Sequence, residues 1–192
     1  MNGIFLCGLT GLSVRPALFE DLTEINRIYV TARRFMREHG NKSQWSGGYP
    51  SDQVIKDDID NKNGFIVSCG EIPCGVFAMF SGIDPTYVII YDGDWLNNEP
   101  YCTIHRIAGD STEKGVLKTA VCFASLFSDN VRIDTHADNY PMQNALSRLG
   151  FSRCGTIFLA DGSPRIAYHI KLDTDNILRY NSQSFNNLIN EK

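Results

Sequence analysis

The residue best suited by type to move a proton is His105, inside the run Ile104-His105-Arg106-Ile107-Ala108-Gly109. A free imidazole exchanges its proton at about pH 6.5, so it can act as a base near neutrality. A structural histidine bonded to a backbone carbonyl uses the same residue, and both roles stand open. Lys114, Gly115 and Lys118 mark a strand-to-helix turn. A helix start carries unpaired N–H groups and partial positive charge, which suits a pyrophosphate. No G-x-G-x-x-G or Walker A pattern occurs, which argues against dinucleotide and nucleoside triphosphate sites. Asn139, just before Pro141, reads either as a helix cap or as a polar contact to a ligand. Asp134, His136 and Asp138 alternate on one strand. Two acids and one histidine without a further partner make a thin metal site, so no metal is expected. There is no Gly-x-Ser-x-Gly elbow for a serine hydrolase. Trp45, Tyr49, Trp95 and Tyr101 are the aromatic candidates for an acceptor pocket, where rings attract a cation; packing in the core is the competing role.

The elements that must position these residues follow from periodicity and turn signals. Val14 to Pro16 reads as the end of a first strand. Glu20 to Glu38 reads as a helix, with apolar residues at i, i+3 and i+4, and arginines at its end. His39 to Pro50 is a loop, and Ser51 caps a short helix reaching about Asn61. Strands are expected over Phe65–Cys69, Pro73–Phe80, Tyr87–Tyr91, Tyr101–Ala108 and Val131–Thr135. Helices are expected over Lys114–Phe127 and Pro141–Leu149, the latter with proline at its start. A hairpin around Asp161-Gly162 joins Phe151–Leu159 to Arg165–Leu172. Residues 1–12 read as an extension before the first strand. Residues 173–192 read as a polar tail or a short helix.

Composition sets the frame. A chain of 192 residues, 43% hydrophobic and 21% charged, fits one soluble domain with a sizeable core. A net charge of -4 argues against a general nucleic-acid partner. No run approaches the roughly 20 apolar residues of a membrane span, and Met1–Leu12 lacks the basic start of a signal peptide. The six cysteines are scattered without Cys-x-x-Cys spacing, as reduced core cysteines are in a cytoplasmic protein.

The segment YCTIHRIAGDSTEKGVLKTAVCFASLFSDNVRIDTHADNYPMQNALSRLGF, Tyr101 to Phe151, resembles the acetyl-CoA binding half of the GNAT superfamily of N-acetyltransferases. Overall layout extends the resemblance over Val14 to Leu172. Several details resemble one uncharacterised bacterial branch of that superfamily: Gln44-Trp45 before Tyr49-Pro50, Trp95-Leu96 before the Tyr101 strand, and Arg132 to His136 before Asp138-Asn139. The resemblance implies an α+β fold over residues 13–172, with a central mixed, mostly antiparallel sheet flanked by helices. It implies transfer of acetyl from acetyl-CoA to a primary amine of a small molecule, by direct attack on the thioester. Strand backbone at Ile107, Ala108 and Gly109 would pair with pantetheine. The turn at Lys114, Gly115, Val116, Leu117 and Lys118 would hold the pyrophosphate, and Asn139 the pantetheine arm. The superfamily often places a catalytic carboxylate on the strand that here carries His105, so His105 would be the base.

The pattern departs in two places. Thr112 replaces a basic or amide residue and Leu117 a small one in the pyrophosphate turn. Leu146 stands where a tyrosine often acts as general acid, which leaves Tyr140 or water to supply that proton. These departures motivate two other readings, a CoA-binding or ligand-sensing module without turnover and a non-catalytic interaction domain. Exposed strand edges in the terminal hairpin offer a route to a homodimer.

Overall fold

A computed structural model describes residues 4–172. In chain order these form β1 (Phe5–Leu6), β2 (Ser13–Pro16), α1 (Leu22–Glu38), α2 (Asp52–Asp60), β3 (Gly64–Cys69), β4 (Ile72–Ser81), β5 (Cys102–Gly109), α3 (Val116–Ala124), β6 (Asn130–Thr135), α4 (Tyr140–Arg148), β7 (Ser152–Phe158) and β8 (Pro164–Lys171). The strands make one sheet in the order β1-β2-β3-β4-β5-β6-β8-β7. Neighbours are antiparallel except β5 beside β6. The expected α+β architecture, a mixed and mostly antiparallel sheet with helices, is what the chain adopts.

Alternation along the strands sorts side chains to two faces. Phe65, Val67, Phe77, Ile104 and Ile133 pack with α3 and with Leu146 of α4. Ile66, Val76 and Ala108 meet Ile25, Ile28 and Tyr29 of α1, together with Ile55 and Ile59 of α2. The entry to α1 is pinned where Arg15 on β2 forks onto both carboxylate oxygens of Asp21, each at 2.7 Å. Ser51 caps α2 by accepting from the Val54 amide, as its position before the helix predicts.

Three expectations are corrected. Tyr87–Tyr91 is not a strand: Asp84 accepts from the Thr86 amide and Pro85 opens a 3-10 turn over Pro85–Tyr87. Only Tyr91 bridges to a strand, at Thr156. The reason is that Tyr87 is drawn inward, 1% exposed, with its hydroxyl donating to Asp134. The helix expected over Lys114–Phe127 is shorter at both ends. Gly115 sits at φ 98°, outside helical space, and Leu126 and Phe127 donate to carbonyls three residues back in a tighter closing turn. Finally, residues before β2 are part of the sheet, since Phe5 and Leu6 pair with Val14 and Ser13. Phe5 meets the Phe123 ring edge-on at 5.6 Å, which seats β1 over α3. The expected tail or helix at 173–192 lies outside the described residues.

Candidate active site

β5 and β6 pair only at Cys102–Val131 and Thr103–Arg132, and then part. Among the described residues, the β5 backbone from Ile104 to Gly109 then has strand partners on its β4 side alone. A cleft of about 1320 Å³ opens in the wedge, above the roughly 300–1,000 Å³ of an ordinary small-molecule site. Ile104 to Gly109 and Ile133 to Thr135 line its walls. The start of α3, Met142 of α4, Phe35, Trp45, Tyr49 and Phe80 line the rest of it.

His105 faces this cleft between two carboxylates. Its Nε2 lies 2.7 Å from Asp84 Oδ2, and its Nδ1 lies 3.6 Å from Asp134 Oδ1. Burial opposes ionisation of Asp84, yet the bonds from His105 and Thr86 outweigh it and hold the carboxyl down at about 2. Asp84 is therefore an acceptor at neutral pH, and a neutral His105 carries its proton on Nε2. The free pair is then on Nδ1. The 3.6 Å gap to Asp134 is too long for a direct hydrogen bond. Asp134 Oδ1 accepts from the Tyr87 hydroxyl at 2.7 Å. Burial first, and then the Asp134 charge, raise the Tyr87 phenol well above its ordinary value, so it stays a donor. Arg165 Nε stands 3.8 Å from the other Asp134 oxygen.

The next residue shapes the wall. Val76 pairs with Ala108 and Ala78 with His105, so one residue of β4 faces two of β5. This is a bulge, and Arg106 occupies it at φ 52°. A left-handed arginine costs on the order of 1–2 kcal/mol. Two groups hold it there. Its guanidinium forks onto Asp58 of α2 at 2.6 and 2.9 Å, and its carbonyl accepts from Tyr29 of α1 at 2.9 Å.

Helix α3 starts without a capping side chain, and its first N–H groups have no intrahelical acceptor. Val116 seats this start. A Cβ on Gly75 of β4 would lie 2.6 Å from Val116 Cγ1, so only glycine allows the approach. Thr10 of the β1–β2 turn closes on Gly115 from outside, 2.9 Å from where a Cβ would be, and bonds Thr119 at 2.7 Å. Lys114, Gly115, Val116 and Leu117 line the cleft. Leu117 is partly buried against the core beneath α3.

Asn139 lines the cleft as well, but its side chain has other partners. Its Oδ1 caps α4 through the Met142 amide, and its Nδ2 donates to Gln44 Oε1 at 2.9 Å. Leu146 is fully buried. Thr135, on the β6 end of the cleft, has a buried hydroxyl without a hydrogen-bond partner among the described residues. Such a group costs about 1–3 kcal/mol and calls for an explanation.

The cleft thus brings together His105, Ile107, Ala108, Gly109, Lys114, Gly115, Val116, Leu117, Asn139, Trp45 and Tyr49. It does not include the other four expected residues. Lys118 lies one helical position beyond the lining. Tyr140 is 64% exposed at the outer start of α4. Trp95 and Tyr101 clamp the buried Arg132 guanidinium, at 4.1 and 3.8 Å from the two ring centres, and this cation holds them in the core. Of the alternating set, Asp134 on β6 turns to His105, while His136 and Asp138 lie beyond the strand with Ser43, His136 Nδ1 being 3.6 Å from Asp138 Oδ2. Sequence reasoning missed Asp84, Asp134 as a partner of His105, Thr135 and Gln44. Asp84-Pro85-Thr86 carried a turn-capping signal, which says nothing of a histidine across the fold.

No protein-family model and no curated protein matches the sequence. Solved structures do. A GNAT-family acetyltransferase from Streptococcus agalactiae is 29% identical with a TM-score of 0.77, covering 88% of this chain and 99% of that one. A GNAT-family acetyltransferase from Listeria monocytogenes is 19% identical with a TM-score of 0.62, covering 88% and 100%. Mycobacterium smegmatis RimJ in complex with CoA-disulfide is 13% identical with a TM-score of 0.55, covering 97% and 93%. The chain has the GNAT superfamily fold.

Proposed function

We propose that the protein moves acetyl from acetyl-CoA to a primary amine of a small molecule. The observation that carries this reading is His105, with one nitrogen tied to Asp84 and the other open beside Asp134, at the floor of a wedge in the sheet. The acceptor ammonium would enter between Nδ1 and Asp134, donate to the carboxylate and give its proton to Nδ1. Asp84 holds the imidazole in that tautomer. The amine nitrogen then forms a bond to the thioester carbon, the carbon–sulfur bond breaks, and the second amine proton leaves the new amide nitrogen for the thiolate, directly or through water, to give free thiol.

The coenzyme would lie along the open β5 backbone, with its pyrophosphate on the uncapped α3 start between Lys114 and Gly115. That start and the unpartnered Thr135 hydroxyl support the fit. Leu146 has no proton to give. Thr135, whose buried hydroxyl has no hydrogen-bond partner among the described residues, would serve instead as a hydrogen-bond donor to the departing sulfur. Asn139 acts by capping α4 and orienting Gln44, its second N–H donating to the Met36 sulfur.

Two measurements test the reading. Acetyl-CoA at a hundredfold excess over its Kd should stabilise the protein by about 2.7 kcal/mol in a thermal shift. Thiol release should then follow on adding members of an amine panel. Absence of stabilisation would reject any CoA site. Stabilisation without thiol release for any amine would leave a CoA-binding module.

A further inference from the structure

A second, smaller cavity of about 290 Å³ lies where α1 ends and the following loop turns. Arg33, Arg37 and Lys42 line it, with the backbone of Ser46 to Gly48 as its rim. Three cations converge here without an ion pair among the described residues, whereas Arg34, Arg148 and Arg153, also without one, stand singly elsewhere. Arg15, Arg27 and Arg106 each hold an aspartate. None of the three cavity cations has a carboxylate within 4.0 Å among the described residues, although acids outnumber bases 22 to 18. Arg33 donates from Nη1 to the Gly48 and Tyr49 carbonyls, which fixes it as one wall and leaves further N–H groups free.

The C-terminal dipole of α1 accounts for one cation in its last turn, at about 0.3–1 kcal/mol. It does not account for Arg33 a turn earlier or for Lys42 in the loop. Arg33 and Arg37 are also like charges at i, i+4, an arrangement that costs about 0.2–0.5 kcal/mol on a helix. A bound anion would reverse that cost.

Gln44, Trp45 and Ser46 line both this cavity and the main cleft, so the two share a wall. We infer that the Arg33–Arg37–Lys42 cavity binds an oxyanion group, phosphate or carboxylate, carried by the acceptor molecule whose amine reaches His105. This rests on the acetyltransferase reading above and narrows its substrate class to amines with a remote anionic group. The volume admits a phosphate or a carboxylate with its first carbons, and is far too small for a coenzyme.

The test has two arms, run on the full chain and on the double variant Arg37→Glu/Lys42→Glu. In the first, inorganic phosphate is titrated while amide NMR shifts are followed. Saturable shifts at Gly47 and Gly48 are expected, and their loss in the double variant. No shifts, or equal shifts in the variant, would overturn the site. In the second, matched amines with and without a phosphate or carboxylate are compared as acceptors. The anionic member should have a KM at least tenfold lower, and the double variant should erase most of that difference. Equal KM values in the wild type would overturn the assignment to the acceptor and mark the anion as a separate ligand. If no amine turns over while phosphate binding is present and lost in the variant, the acetyltransferase reading fails and the anion site stands.

Discussion

His105 is defined by what its two nitrogens meet. Asp84 takes one and leaves the other to the cleft, so its replacement by a residue without a ring nitrogen should be severe. His105→Gln is expected to lower kcat by about 10²- to 10⁴-fold; an undiminished kcat would reject the base assignment. Thr135 makes a separate claim. Thr135→Val removes a buried hydroxyl that has no partner among the described residues, so urea unfolding should show stability unchanged or raised by about 1 kcal/mol. If the hydroxyl serves the departing thiolate, kcat should nevertheless fall by about tenfold or more, and Thr135→Ser should restore it. Equal kcat for the valine and serine variants would leave the hydroxyl without a catalytic part. The imidazole was legible in the sequence because its residue type carries the chemistry. Asp84 was not, because it lies in a turn 21 positions away in the chain and only folding brings it to Nε2.

The start of α3 depends on a contact between elements. Val116 drops onto Gly75 and Gly109, and this close approach sets the distance between helix and sheet. Gly75→Ala would place a methyl 2.6 Å from Val116 Cγ1. It should cost about 1–3 kcal/mol in urea unfolding and weaken acetyl-CoA binding, read as a smaller thermal shift at fixed ligand. Full stability would show that α3 can shift without strain. The glycine at 115 was legible as a turn, while the reason for it was not. A left-handed φ and the Thr10 methyl both demand glycine there, and Thr10 comes from a hairpin that the local pattern did not reveal, because β1 has only two residues. Helices α1, α2 and α4 were readable because caps and apolar periodicity are local. The Tyr87–Tyr91 run misled because β propensity measures packing on a sheet, and here one bond from Tyr87 to Asp134 draws the segment into a turn.

At the scale of the whole molecule, pH acts on groups buried by the complete fold. His169 is fully buried, and burial together with the Arg132 charge lowers its pKa from 6.5 to about 4. Between those values the unfolded chain binds a proton that the folded chain refuses. Stability is therefore complete above about pH 6.5 and declines as pH falls toward 4, by on the order of 3 kcal/mol. His169→Gln should flatten that window in urea unfolding series, and equal slopes for the two proteins would reject the cause. Asp84 acts lower, from its ordinary 3.8 down to about 2, so its contribution is present above that range and fades within it. The sequence by itself determined the α+β class, the strand carrying His105, the turn at Gly115 and the helices α1, α2 and α4, because residue type, periodicity and turn chemistry act over a few neighbours. Only the tertiary structure decided that β5 and β6 part after two pairs, that Asp84 and Asp134 flank the imidazole, and that Trp95 and Tyr101 belong to Arg132 instead of the cleft. Those outcomes depend on which distant side chains compete for the same hydrogen bond, charge or space, and that competition exists only once the chain has folded.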